Sequence, residues 1–305
     1  MESDTVKGHS EEYFGDYRDF WWNSDYIELL ARRWQLSSAL TLLDVGCGLC
    51  HWSRLLTPHL KKPARVVAID KDQKWSSGSP ELEKRFNELN ASVEFRHGDA
   101  HALPFPDDSF DVVTGQTVLI HCSDPEAALE EMKRVAKPGG IVICAEPNNL
   151  VGTASFDSIE QAADVDTLVD KFRERLLLER GRRAAGEGNI SLGDQLPFLF
   201  GRAGFDDISS YLSDCINPLY PPYDRPAQRA EIDVAREYAA PRFREQAQEE
   251  NRRYVAALNS PDDLVFIERM QRNAKRESEM FFNAVDRQTF FSGGLSVMYV
   301  VSGRK

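Results

Sequence analysis

The chain has 305 residues, room for one large domain or two small ones at roughly 150 residues each. Its 42% hydrophobic and 28% charged content supports a sizeable core and excludes a disordered chain. The formal net charge of −12 argues against nucleic acid as the main partner, because an acidic field repels phosphate. The predicted elements begin with an aromatic cluster: Tyr13, Phe14, Tyr17, Phe20, Trp21, Trp22 and Tyr26. It leads into Ile27–Ala31, patterned as an amphipathic helix. Short β-branched runs then alternate with helical stretches. Thr41–Val45 reads as a buried strand, Trp52–Leu60 as helix, Arg65–Ile69 as strand, Glu81–Leu89 as helix and Val93–Arg96 as strand. Phe110–Thr114 is the fourth strand. Asp124 can cap a helix running to Val135, with Pro125 in its first turn and Lys137-Pro138-Gly139-Gly140 as its stop. Ile141–Ala145 is the fifth strand.

After Pro147 the alternation ends. Residues from about 155 to 185 read as a charge-rich helix closed by Gly186-Glu187-Gly188, Asp194–Ala203 as a helix closed by Gly204, and Ile208–Leu212 as a strand. A long polar helical stretch from Pro226 to Asp286 is interrupted at Pro241 and at Asn259-Ser260-Pro261, and Leu295–Val301 is expected as a last buried strand. Strands joined through helices imply parallel pairing with right-handed crossovers, hence a doubly wound α/β sheet. The expected organisation is an N-terminal helical lid over 1–40 and a Rossmann-like core over 41–150, completed by 191–213 and 294–305. Helical insertions over 151–190 and 214–293 would cap a substrate pocket.

No apolar run approaches the roughly 18 residues a bilayer span needs, and Met1–Ser10 is polar, without a signal-peptide core. Five cysteines are too few and odd for a disulfide scaffold. A cytoplasmic protein with no membrane partner is the expectation. Cys47 and Cys50 form a C-x-x-C, but no second Cys/His pair lies at ligand spacing, so no metal is expected.

The sharpest local signal is Asp44-Val45-Gly46-Cys47-Gly48, closing the first strand and opening a helix. Glycines there permit a tight turn and let a ligand lie against bare backbone, or serve the turn alone. A dinucleotide fingerprint would want a third glycine at position 51, where this chain has His51. Asp44 would repel a diphosphate but accept from an ammonium group. The loop therefore favours a cationic nucleoside without phosphate over NAD, whose oxidoreductases are the disfavoured enzyme alternative. Asp70 ends the second strand, where a carboxylate can accept from both ribose hydroxyls or be merely solvated. Asp99, in Gly98-Asp99-Ala100, could accept from an adenine amine or close an Asx turn.

Taken together, Asp44–Gly48, Asp70, Gly98-Asp99-Ala100-His101-Ala102-Leu103-Pro104-Phe105-Pro106-Asp107-Asp108-Ser109-Phe110-Asp111-Val112-Val113 and Lys137–Gly140 resemble the successive motifs of class I S-adenosylmethionine-dependent methyltransferases. The nearest subgroup contains the quinone-biosynthesis C-methyltransferases and many small-molecule methyltransferases. The resemblance covers about Leu42 to Pro147, and more loosely the last two strands. It implies a seven-stranded sheet with an antiparallel final hairpin and S-adenosyl-L-methionine as cofactor. On the family pattern Asp44, Gly46, Cys47 and Gly48 line the methionine end and Asp70, with Lys71 beside it, holds the ribose. Asp99 and Ala100 flank the adenine, and Gln116 touches the methionine moiety. The family often has glycine at the position of Cys50, so the loop departs there.

Methyl transfer is an in-line displacement that depends on holding the acceptor near contact distance. His121, after the fourth strand, is the candidate general base; a substrate or cofactor contact and a purely structural histidine are the alternatives. Glu146, Asn148 and Asn149 follow the fifth strand at the ligand-binding edge and are the candidate acceptor contacts. Tyr220, in Asn217–Tyr223, is the candidate pocket wall. The aromatics are either a lid whose π faces attract the sulfonium, with Tyr17 and Trp22 on the cofactor side, or packing core. Arg173–Arg183 is read as one solvated helix face, with recognition of an acidic acceptor or partner as the alternative. The function expected is methyl transfer to a small molecule, the alternative being a non-catalytic cofactor-binding protein that acts through partners.

Overall fold

The computed structural model describes residues 15–294 and 297–305, so Tyr13, Phe14 and Leu295 lie outside the described residues. A short 3-10 turn, Gly15–Phe20, precedes helix α1 (Ser24–Arg33), whose Ile27, Leu30 and Ala31 are buried. Strand β1 (Thr41–Val45) is followed by α2 (His51–Leu56), and β2 (Ala64–Asp70) by α3 (Gln73–Ser76) and α4 (Pro80–Glu88). Then come β3 (Ala91–His97), β4 (Phe110–Gln116), α5 (Pro125–Val135) and β5 (Ala136–Pro147). The remaining elements are α6 (Val165–Ala184), α7 (Leu196–Arg202), β6 (Asp206–Leu212), α8 (Pro226–Ala239), α9 (Pro241–Ala256), α10 (Pro261–Asp286) and β7 (Met298–Arg304).

The seven strands form one sheet in the order β3-β2-β1-β4-β5-β7-β6. β1 to β5 pair in parallel, and β7 runs antiparallel to both of its neighbours. The order reverses between β1 and β4, where Leu42 lies beside Val112 and Asp44 beside Thr114. At such a switch point successive connections leave on opposite faces and open a crevice at the carboxyl edge. One face of the sheet is packed by Ile27, Leu30, Trp34, Trp52, Leu56 and Phe86. Leu129, Met132, Leu196 and Phe200 of α5 and α7 cover the other. Buried on both faces, the central strands read as continuous apolar runs.

The boundaries differ from expectation where tertiary pairing or proline intervenes. The helix expected over Trp52–Leu60 is α only to Leu56, with Thr57–His59 as 3-10, because Pro58 supplies no N–H. Lys137–Gly140 does not precede β5 but lies within it: Ala136 already sits beside Phe110, and an irregularity follows on β4. Residues 155–164 hold only a short 3-10 turn, Glu160–Ala162; α6 starts where Asp164 accepts from the Thr167 N–H at 2.9 Å. β6 begins earlier than the expected Ile208, at Asp206, and β7 runs from Met298 to Arg304, past the expected end at Val301.

The breaks expected at Pro241 and Pro261 are where they fall: α8, α9 and α10 each begin on a proline. The missing N–H costs nothing at that position. Helix α6 packs against α9 and α10, tied by Arg173–Asp263 and Arg269–Asp170, both 2.8 Å. Its Gly181 lets the chains touch, since a Cβ there would lie 2.3 Å from the Tyr254 carbonyl oxygen.

Candidate active site

The loop between β1 and α2 is built from three left-handed residues: Gly46 at φ +64°, Gly48 at +47° and Cys50 at +58°. The last explains why glycine suits position 50: a side chain there bears the steric cost of the left-handed region. The loop is pinned to the end of β2, with the Cys47 N–H on the Ile69 carbonyl and the Gly48 N–H on the Asp70 carboxylate, both at 3.0 Å. A Cβ on Gly46 would lie 2.5 Å from Val118, so the space beside Gly46 is occupied by the turn after β4. The bare backbone expected there as a ligand seat is therefore a packing contact at Gly46. Asp44 is buried in the last turn of β1, and Ser53 Oγ donates to its carboxylate.

Asp70 stands at the crevice with Oδ2 on Gly48 and Oδ1 on the Asp72 N–H at 2.9 Å. Burial pushes its carboxyl above the usual range, against the pull of those two N–H groups. Each carboxylate oxygen has two acceptor directions, so both can take a further donor. Lys71 is exposed beside it, its carbonyl 2.9 Å from His97 Nε2. Asp99 is exposed and accepts from the His101 N–H at 2.8 Å and sits 2.7 Å from its Nδ1, which hold its carboxyl below the usual range. Ala100 is partly buried against the cluster on the sheet's second face.

Two buried donors have no hydrogen-bond partner among the described residues: Gln116 Nε2 and Trp22 Nε1. Gln116 ends β4. Trp22 lies on Trp52 at 5.0 Å between ring centroids, and Trp52 Nε1 donates to Thr114 Oγ1 of β4 at 2.6 Å. The N-terminal 3-10 turn is fastened to the start of α2 by Asp19, 2.8 Å from His51 Nδ1, with Arg54 completing the cluster. On its other side this turn meets α8 and the segment before it. Tyr17 donates to Glu231 of α8 at 3.4 Å and accepts from Asn217 at 3.5 Å. Burial pushes the Glu231 carboxyl up to about 7. The N-terminal aromatics thus divide: Trp22 packs on Trp52 of α2, while the Tyr17 hydroxyl bonds to Glu231 of α8.

The residues expected to face the acceptor are placed differently. Glu146 is fully buried and accepts from the N–H groups of Val118 and Leu119 at 2.9 Å and of Ile120 at 3.3 Å. Burial pushes its carboxyl up to about 7, with those three N–H groups pulling the other way. It holds the turn after β4 through both of its carboxylate oxygens. Asn148 Oδ1 caps Leu150 and Val151, and Asn149 Nδ2 donates to the Ile190 carbonyl; both tie the end of β5 to the first insertion. Tyr220 is exposed, and its described contacts, under Arg225 and with Gln228, stay within the cap.

The charged run Arg173–Arg183 is not one solvated face. Arg173 pairs with Asp263, Glu179 is buried against Ser191, and Arg182 reaches His121 Nδ1 at 3.1 Å. Next to that contact, a Cβ on Gly188 would lie 2.2 Å from the Ile120 carbonyl oxygen. Arg182, Asp19 and Glu231 were outside the expected site. Only Arg182 had a sequence signal, the charged run itself. Among the described residues no group of three or more His, Cys, Asp or Glu could hold a metal.

The site suits a phosphate-free nucleoside bearing a carboxylate. Asp44 and Asp70 repel a diphosphate, Asp70 retains acceptor capacity for hydroxyls, and two buried N–H donors await an acceptor. Residues 43–144 match the model of the methyltransferase domain family. An uncharacterized methyltransferase of Schizosaccharomyces pombe is 37% identical over 116 residues, 36% of this chain and 40% of its own length. Demethylmenaquinone methyltransferase of Staphylococcus aureus is 40% identical over 104 residues, 34% of this chain and 42% of its own. The chain thus spans about two fifths of these relatives' length. The solved structure of the Bacillus YcgJ protein superposes with a TM-score of 0.51 at 17% identity, over 93% of this chain and 99% of that one, a likeness of fold. Residues 43–144 thus resemble the methyltransferase domain family, and the sheet built on them shares its fold with the YcgJ structure.

Proposed function

We propose that this chain transfers a methyl group from S-adenosylmethionine to a small-molecule acceptor enclosed by the lid and the helical insertions. The observation that carries the cofactor half is the Asp70 carboxylate, pinned by the Gly48 and Asp72 N–H groups with acceptor capacity to spare, together with two buried donors without a partner, Gln116 Nε2 and Trp22 Nε1. Leaving a buried N–H unmet costs about 1–3 kcal/mol, so a ligand carboxylate that accepts from both recovers that cost. When bound, the cofactor supplies a methyl group made electrophilic by its sulfonium. Asp70 would hold the ribose hydroxyls, Asp99 and Ala100 the adenine, and the two donors the methionine carboxylate. Lid and cap residues, Tyr17 and Trp22 among them, would exclude water and orient the acceptor, which is most of what in-line transfer asks of a protein.

The acceptor half rests on anatomy. The insertions over α6 and α8–α10 lie outside residues 43–144, which match the family model, and would form a helical cover joined to the N-terminal segment through Tyr17 and Glu231. An enclosed cover suits a modest organic molecule better than a macromolecular surface. No helix among the described residues is long and apolar enough to cross a membrane. Isothermal titration with S-adenosylhomocysteine, with NAD in parallel, tests the reading. Micromolar binding of the first and none of the second is expected. NAD binding alone overturns the assignment of the Gly46–Gly48 loop.

A further inference from the structure

Helices α9 and α10 of the second insertion border a cleft of about 370 Å³, lined by Gln248 and Arg252 of the first and by Glu268, Gln271 and Arg272 of the second. The spacings explain why these side chains share it: 248 and 252 lie on one face of α9, and 268, 271 and 272 on one face of α10. Gln271 is the buried member of the set, 7% exposed, and a reciprocal pair of amide bonds fixes it there. Its Nε2 donates to the Gln248 carbonyl at 2.9 Å, and the Gln248 Nε2 donates to the Gln271 carbonyl at 3.4 Å. The nitrogen of the Gln271 amide is thus committed. Its Oε1 is buried and has no partner among the described residues. The charges around it are unmatched as well. Elsewhere on these helices Arg253 pairs with Glu187, Asp263 with Arg173 and Arg269 with Asp170. Arg252, Glu268 and Arg272 form no ion pair with any described residue, although Glu268 and Arg272 lie one helical turn apart.

We propose that this cleft is a binding site for a small zwitterion of the α-amino-acid class, its carboxylate between Arg252 and Arg272 and its ammonium toward Glu268 and the Gln271 Oε1. The lining asks for both charges in one molecule. A simple anion would be drawn by two guanidiniums, but it would face the Glu268 carboxylate and leave Oε1 unmet. A simple cation would meet both acceptors and be repelled by two fixed positive charges. An ammonium brings three donors to two acceptors that have none, and a carboxylate offers an oxygen to each guanidinium. A donor delivered to Oε1 also removes the cost of a buried acceptor left unpaired. The volume is at the small end of ligand clefts, which suits a molecule of amino-acid size. None of the five residues is assigned to the cofactor, and the inference does not rest on the proposed function.

The test is an NMR titration of the full chain, labelled with ¹⁵N in its glutamine side chains, with L-alanine. Propionate and ethylammonium, which each carry one of its two charged groups, are titrated in parallel. The Gln271 amide signal is assigned by its loss in Gln271→Met, or in Gln271→Glu if the first variant fails to fold. A saturable shift of that signal with L-alanine is expected, with the two half-ligands weaker by at least about tenfold. Arg252→Ala and Arg272→Ala, both at exposed positions, should each weaken L-alanine binding about tenfold and leave the unfolding midpoint where it is. The absence of a saturable shift with L-alanine overturns the proposal. Propionate binding as tightly as L-alanine overturns it too, since the cleft would then be a plain anion site. Unchanged L-alanine affinity in both arginine variants places the ligand elsewhere and overturns the assignment.

Discussion

The Gly48 N–H donates to the carboxylate of Asp70 at 3.0 Å, joining the glycine loop of the first strand to the end of the second. The carboxylate assigned to the ribose therefore also shapes the loop against which the rest of the cofactor would lie. Neither residue alone makes the site; the bond between them does.

Replacing Asp70 by alanine removes both functions at once. S-adenosylhomocysteine affinity should fall more than tenfold, about 1.4 kcal/mol, while far-ultraviolet circular dichroism stays that of the wild type. Isothermal titration checks it, and a loss under twofold would show the ribose assignment to be wrong. Asp70→Asn keeps one oxygen acceptor and should fall between the two.

Trp22→Phe separates an unmet donor from its packing. The phenyl ring can still lie on Trp52, but the buried N–H without a partner is gone. The unliganded protein should lose little stability, because removing an unsatisfied donor offsets the smaller ring. Binding of S-adenosylhomocysteine should weaken several-fold. Unfolding curves with and without ligand measure both, and undiminished affinity would mean that this N–H meets no part of the ligand.

Gly186 and Gly188 make a paired test of the contact at the Ile120 carbonyl. Both have positive φ, +77° and +86°, but a Cβ at 186 meets nothing within 4 Å whereas one at 188 collides with the Ile120 carbonyl. Gly186→Ala should cost about 1 kcal/mol from the backbone alone. Gly188→Ala should cost more than about 2 kcal/mol. Urea unfolding distinguishes them, and equal losses would mean that the 188 contact yields freely.

Glu146 predicts a pH dependence. Burial raises its carboxyl from 4.5 to about 7 in the folded chain. A raised folded value means that the folded state holds the proton more tightly. The contribution of Glu146 is therefore full below about pH 4.5 and declines as pH rises toward about 7. Glu146→Gln removes this titration. The stability difference between wild type and variant should shift against the wild type across that interval, by an amount on the order of 1–3 kcal/mol. Denaturant unfolding at several pH values reads it, and a flat difference would contradict the burial argument.

The cofactor half was legible in the chain because its parts are local. A glycine loop, an acidic strand end and the alternation of strands with helices are each set within a few residues, and β2 announces itself by the short apolar run Val66–Ile69. Pro226, Pro241 and Pro261 likewise mark helix starts through a purely local property, the absent N–H. What the sequence could not assign was the partner of each polar group. Glu146 has the chemistry of an acceptor ligand, yet three backbone N–H groups some 26–28 residues earlier consume it. Arg182 looks like one more charge on a solvated helix until the fold carries it across 61 residues to His121. Tyr17 and Glu231 meet across 214. A carboxylate or guanidinium pairs with whatever the packing brings near it. The sequence by itself thus determined the sheet and the cofactor loop, whose geometry is carried by backbone and neighbouring residues. Only the tertiary structure decided the partners of Glu146, Arg182 and Tyr17, because those hydrogen bonds form between segments that no local pattern connects.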